Sequence, residues 1–230
     1  MGGSRVSEER SGPQVSTTVD RAGALLDLLA ANPEGLTITV LTRHLDTQRA
    51  PLYRILEALI KHRLVRRDEQ KRYLLGVGTL ELARAFSAQF PAGVDQMLAE
   101  LADETDTTAS LVSVEGNVMT TIAARTPNTN SAHVYTPPGF QHPPGPLSMR
   151  NALAALEPPR DDDSDEVREA RRLGYAVGRG RVVQARYGMS AVVPGHPSLI
   201  LALVSLNELD HERLARPVLR TAQLIGLTLR

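Results

Sequence analysis

The chain has 230 residues, 42% of them hydrophobic, enough for a buried core in one large domain or two of ordinary size. It contains no cysteine, which excludes disulfides and thiolate nucleophiles or metal ligands, and no apolar run of about 18 residues, which excludes a transmembrane helix. Lys plus Arg equals Asp plus Glu at 26 each, and aromatics make up only 3%, too few for a protein that stacks the bases of single strands.

The N-terminal stretch MGGSRVSEERSGPQVSTT lacks the apolar core of a secretory signal. It reads as a flexible arm over residues 1–17, and a cytoplasmic protein is expected. In VDRAGALLDLLAANPEG, Leu25, Leu26, Leu28 and Leu29 form a broad apolar stripe, Thr18 or Asp20 can cap the start, and Pro33 and Gly35 end the helix. LTITVLTRHLD follows with Leu36, Val40, Leu41 and Leu45 at mostly helical spacing, although its β-branched residues weaken the helix. Residues 48 to 62 are a clear helix. Leu52, Ile55, Leu56, Leu59 and Ile60 keep the i, i+3, i+4, i+7, i+8 pattern, which puts Ala50, Arg54, Glu57 and Lys61 on the opposite face. Pro51 belongs in the first turn, where a missing amide hydrogen costs little.

LVRR and RYLL then flank the polar turn DEQK, a hairpin with Val65 and Tyr73 inward and Arg66, Arg67, Lys71 and Arg72 outward or at the tip. Gly76 and Gly78 lead into an amphipathic helix, TLELARAFSAQF. Further on, VDQMLAELADET is a helix with Met97, Leu98 and Leu101 inward. ASLVSVEGNVMTTIAAR is two strands about a Gly116-Asn117 turn. PNTNSAHVYTPPGFQHPPGPLS is a long loop around one short strand, and RNALAALEPP a short helix. DDDSDEVREARRLG is another helix, with Asp163 as cap and Glu166 three residues on. YAV, ARYGMSAVVP and SLILALVSL are strands, with a turn at PGHP. DHERLARPVLRTAQLIGLTLR closes the chain as a helix. This half is expected to be α+β, a central antiparallel sheet with helices on it.

The zero net charge hides an asymmetry. Residues 1–90 carry 13 basic against 10 acidic residues, and residues 43–72 carry nine against four. Such a patch suits a polyanion, with an ordinary solvated surface as the plain alternative. Three helices, the last with a polar face, followed by a basic hairpin make a winged helix-turn-helix. The major groove of B-DNA is about 12 Å wide and admits one helix, apolar behind and hydrogen-bonding in front. Thr47, Gln48 and Arg49 enter first. Arg54 follows as a base or phosphate contact or as an ion-pair partner of Glu57, and Tyr53 packs or offers its hydroxyl. Arg66, Arg67, Lys71 and Arg72 on the wing meet phosphates or simply keep the hairpin solvated.

The residues VDRAGALLDLLAANPEGLTITVLTRHL and LYRILEALIKHRLVRRDEQKRYLLGVGTLELARAF resemble the DNA-binding half of IclR-type bacterial transcriptional regulators. GPLSMRNALAAL, LGYAV and YGMSAVVPG resemble parts of the family's second domain more faintly. The resemblance implies a flexible arm (1–17), a winged helix-turn-helix domain (18–76), a linker helix (77–90) and a GAF-like effector or oligomerisation domain (91–230). It also implies a homodimer or tetramer on a pseudo-palindromic operator of double-stranded DNA, with a small-molecule effector, often an organic acid. On the matching segments the effector candidates are Pro146, Leu147, Ser148, Met189 and Ser190, with Arg125 or Arg150 to meet a carboxylate. Core packing and surface ion pairs are equally open readings for each. Ala50 and Pro51 stand where the family usually has Ser-Thr, Ser148 where it has His, and Gln184 near a frequent acid.

No enzyme is expected, because no acid–base set converges. No cofactor or metal is expected either. The acids of DDDSDE cannot all face one ion, and His133, His142 and His196 lie in separate loops without ligand spacing.

Overall fold

The computed structural model describes residues 17–144, 147–179 and 187–230. These form two compact units that divide between Phe86 and Ser87. The expected arm falls outside the described residues except for Thr17, which already opens a helix.

The first unit runs α1 (Thr17–Ala30), α2 (Ile38–His44), α3 (Arg49–Lys61), β1 (Val65–Arg67), β2 (Tyr73–Leu75) and α4 (Gly78–Ser87). Thr18 and Asp20 are helical residues of α1 and do not cap it. Leu25 and Leu29 of α1, Leu41 of α2, and Leu52, Ile55 and Leu56 of α3 share one core with Val65 and Tyr73 of the hairpin. That is the i, i+4 geometry of apolar stripes turned toward one centre. The stripe of α3 is shorter than its sequence suggests, since Ile60 is 39% exposed. Leu36 does not join α2. Its backbone pairs with that of Tyr73 through bonds of 2.9 and 2.8 Å, extending the hairpin by one bridge.

The end of α3 is closed by backbone alone. Arg63 adopts the left-handed conformation with φ of 59°. Its amide donates to the Ile60 carbonyl and the Leu64 amide to that of Leu59, the pairing of a Schellman motif. The chain leaving the hairpin docks on this end, with the Gly76 amide on the Leu64 carbonyl and the Gly78 amide on that of Arg63, both at 2.8 Å. A Cβ at Gly76 would lie 2.1 Å from the Arg63 carbonyl oxygen.

The second unit runs α5 (Ala92–Thr105), β3 (Thr108–Glu115), β4 (Val118–Arg125), α6 (Ser148–Ala154), α7 (Asp165–Leu173), β5 (Ala176–Arg179), β6 (Tyr187–Val193), β7 (His196–Ser205) and α8 (His211–Thr228). The five strands form one antiparallel sheet in the order β4-β3-β7-β6-β5. Side chains alternate across it. Leu111, Met189, Ala191, Leu201 and Leu203 pack with Leu98 and Leu101 of α5 and with Leu214, Val218 and Ile225 of α8. Val112, Met119, Ile200 and Ala202 pack with Met149 of α6 on the opposite face. The fold is therefore α+β, a helix-turn-helix unit followed by a unit built on an antiparallel sheet.

Two local expectations are corrected. No strand forms between residues 126 and 144. Gly139, Phe140 and His142 instead bond singly to the edge of β4, with one bridge at Thr120 and Gln141. The cap of α7 is Ser164, which accepts the Val167 amide at 3.3 Å. Asp163 accepts the Arg160 amide and pairs with Arg171 at 3.0 Å. Asp163 and Ser164 are both capping residue types, and the tertiary ion pair draws Asp163 away.

A methyl group added at Gly23 in α1 would meet nothing within 4 Å, whereas one at Gly76 would meet backbone. Gly23→Ala should therefore stabilise by about 0.5–1 kcal/mol through helix propensity, and Gly76→Ala should destabilise by about 3 kcal/mol, both read by denaturant unfolding.

Candidate nucleic-acid interface

The candidate face is assembled from α3 and the hairpin. Gln48 is the N-cap of α3 but its side chain makes no capping bond, so its amide is left facing solvent. Thr47 is half-buried, and its backbone closes the α2–α3 turn on the Thr42 carbonyl. The neighbouring Asp46 takes φ of 41° in that turn. Arg49 is exposed and donates to the Thr39 hydroxyl of α2 at 3.2 Å, which steadies its guanidinium at the front of the helix. Arg54 is exposed one turn on. Among the described residues it makes no ion pair, so the Glu57 partnership open in the sequence does not form. Tyr53 is 38% exposed beside the hairpin.

On the hairpin, Arg66 and Lys71 are exposed and have no acid partner among the described residues. The Arg67 guanidinium carbon lies 5.4 Å from the centroid of the Tyr73 ring, a cation–π contact across the strand pair. Arg72 is tied down. Its amide and Nε bond the two Asp68 carboxylate oxygens at 2.7 and 2.8 Å. Burial works to raise the Asp68 carboxyl, yet those bonds and the Arg72 charge hold it below its ordinary value. Burial is also the largest influence on the Tyr73 hydroxyl, which is pushed up, with Tyr53 and Glu57 adding to it and Arg67 opposing. Lys71 turns the tip with φ of 62°, a conformation that favours glycine.

Sequence reasoning missed Thr39, which orients Arg49 from ten residues away. It also passed over Arg43 as a contact. Arg43 is exposed in the last turn of α2 with no acid partner among the described residues. A helical-wheel view of α2 shows Arg43 as a surface residue without saying which surface.

Residues 18–69 match the family model for the IclR helix-turn-helix domain. The whole chain has the fold of solved IclR-type regulators. An IclR transcriptional regulator from Alicyclobacillus acidocaldarius aligns with a TM-score of 0.79 at 19% identity, covering 94% of this chain and 100% of that one. An IclR family regulator from Brucella abortus aligns with 0.73 at 14% identity, over 93% of each chain. An IclR homologue from Microbacterium hydrocarbonoxydans, solved with 4-hydroxybenzoate, aligns with 0.72 at 14% identity, over 93% of this chain and 99% of that one. No curated protein matches the chain in sequence. No helix among the described residues is long and apolar enough to cross a membrane.

In the sheet unit, the effector candidates do not all converge. Pro146 and Gln184 lie outside the described residues. Ser148 and Ser190 meet, Oγ to Oγ, at 2.8 Å, both buried. Ser148 rests on two glycines: a Cβ at Gly178 would come within 2.9 Å of its amide, and one at Gly188 within 3.0 Å of its hydroxyl. Met189 points the other way, into the core beneath α5 and α8, because consecutive strand residues face opposite sides of the sheet. Its grouping with Ser190 is corrected. Leu147 packs with Met149 against Val112 and Ile200. Arg150 reaches the Asn117 carbonyl at 3.4 Å and leaves its buried Nε without a partner. Arg125 pairs with Asp95 of α5 beside an open cleft of about 510 Å³ lined also by Ala124, Thr126 and Tyr135.

Lys71→Gly separates the two roles of the wing tip. It should stabilise the chain by about 1 kcal/mol in denaturant unfolding by relieving the left-handed backbone. It should also lower the salt slope of DNA binding by about one.

Proposed function

We propose that the chain is a transcriptional regulator that binds a pseudo-palindromic operator as a homodimer or dimer of dimers, and that its C-terminal unit answers a small-molecule effector. The carrying observation is the set of exposed cations on α3 and the wing, Arg49, Arg54, Arg66, Arg67 and Lys71, none of which has an acid partner among the described residues. In this reading Thr47, Gln48, Arg49 and Arg54 enter the major groove, Tyr53 meets its rim, and Arg66, Arg67, Lys71 and Arg72 lie along phosphates. About five neutralised phosphates per monomer give a slope of log K against log[salt] near −4.5 per monomer. A flat salt response in fluorescence anisotropy with labelled duplex would refute the wing contacts. Arg54→Ala should cost about 1–3 kcal/mol and relax preference at one base pair.

Assembly through α4 is supported by its apolar surface. Leu82 and Phe86, four residues apart on one face of α4, are 61% and 41% exposed, an apolar face that suits a second copy of the helix across a two-fold axis. Residues 77–90 act as the linker in this scheme, between the DNA-binding domain (18–76) and a GAF-like domain (91–230).

The proposed effector is an organic acid, in keeping with the 4-hydroxybenzoate of the Microbacterium homologue and with the unpartnered donor on Arg150. Leu147 at the N-cap of α6 and the buried Ser148–Ser190 pair complete the candidate set. A second reading, a regulator without effector whose C-terminal unit only assembles subunits, is favoured by the Ser148–Ser190 bond, which gives each hydroxyl a partner within the chain. Thermal unfolding with benzoate, 4-hydroxybenzoate and small dicarboxylates discriminates the two. A concentration-dependent rise in Tm, lost in Arg150→Gln, supports the effector, and no shift with any of them supports the second reading.

A further inference from the structure

We propose that Glu57 is a base-reading residue whose carboxylate accepts the exocyclic amino group of a cytosine in the major groove, fixing one C·G pair in each half-site. This rests on the reading of α3 as the groove helix. Glu57 lies on the exposed face of α3, three residues after Arg54 and four before Lys61. Those are the spacings at which helix surfaces close ion pairs. The protein closes them elsewhere. On α7, Arg168 bonds Asp165 at 2.7 Å, and Arg172 reaches Glu169 through Nε at 3.0 Å. On α3 neither neighbour engages Glu57. Among the described residues its carboxylate makes no hydrogen bond or ion pair.

An acid in this place is otherwise a liability. It stands in the middle of the cations that meet DNA, where phosphates repel it and it cancels one of their charges. Its retention makes chemical sense if the groove offers it a donor. Two bases present donors there, cytosine through N4 and adenine through N6. Adenine pairs its amino group with the acceptor N7, which a carboxylate cannot satisfy and an amide can. Cytosine presents the amino group alone, so a carboxylate selects cytosine. Arg54, less than one turn away, presents the complementary chemistry for the O6 and N7 acceptors of a guanine.

The test is selection from randomised duplexes by the full chain, comparing wild type, Glu57→Ala and Glu57→Gln. Both replacements alter one exposed side chain and leave the core of α3 untouched. The expected result is that Glu57→Ala loses about tenfold discrimination at a single position per half-site, with the other positions kept. Glu57→Gln should move the preference at that position from cytosine to adenine, and both variants should bind unrelated duplex more tightly than wild type. Unchanged sequence preference with a uniform gain in affinity would overturn the assignment, leaving Glu57 a mere repulsive charge. Wild-type protein that selects no sequence at all would instead sink the groove-helix reading itself.

Discussion

The seat of the hairpin exit on the end of α3 is the contact on which the rest of the first unit depends. It is made by main chain, without intervening side chains. Gly76 and Gly78 lie so close to the Leu64 and Arg63 carbonyls that their amides bond directly, and no methyl group fits between. The two glycines therefore work through the absence of a side chain. The consequence is mechanical. α3, the hairpin and the first turn of α4 leave a single point, and the orientation of each is set by hydrogen bonds that are strong when dry and costly to leave unmade. The Arg63–Glu81 ion pair at 2.9 Å bridges the same junction, but both side chains are more than half exposed, so it adds little beside the backbone bonds.

The distribution of backbone strain follows this geometry. Among the described residues, four non-glycine positions have positive φ: Asp46, Arg63, Lys71 and Asp106. Three of them surround α3, in the turn before it, in the turn after it and at the wing tip. Each costs on the order of 1 kcal/mol relative to glycine. At Arg63 and Lys71 the side chain carried at that cost is a cation, paired with Glu81 in the first case and without an acid partner among the described residues in the second. Elsewhere the protein commits its surface charge to local pairs, as along α7. Around α3, Arg63 and Arg72 are also paired, with Glu81 and Asp68, while Arg54, Arg66 and Lys71 have no acid partner among the described residues.

Much of this is legible in the sequence, where a period is strong and its partner lies in the same unit. Leu52, Ile55 and Leu56 announce α3, and Val65 with Tyr73 announces the inner side of the wing. The failures have physical causes. Ile60 keeps the helical period but lies past the edge of the small core. Leu82 and Phe86 share one exposed face of α4, and periodicity cannot say what, if anything, lies against it. Asp163 and Ser164 compete for one cap, and only the fold reveals that Arg171 claims the first. Met189 and Ser190 fall in one motif, while the strand period of two sends them to opposite faces. Thr39 and Arg49 illustrate a further limit, a polar contact between two helices that no spacing along one helix encodes.

These constraints narrow how an effector could act. A first unit closed by backbone bonds does not readily change the internal angle between α3 and the hairpin, so in the proposed scheme an effector acts on the arrangement of whole units rather than within this one. A ligand can bias that arrangement only by binding one state more tightly, and moving a population from mostly one state to mostly the other takes a preference of about 10⁴-fold. The Ser148–Ser190 bond sets a condition on such a ligand. The pair is buried and self-satisfied, pressed against Gly178 and Gly188, so a ligand that separates the hydroxyls must satisfy both or lose more than it gains. A carboxylate can accept from two hydroxyls at once, whereas an apolar molecule of the same size can accept from neither.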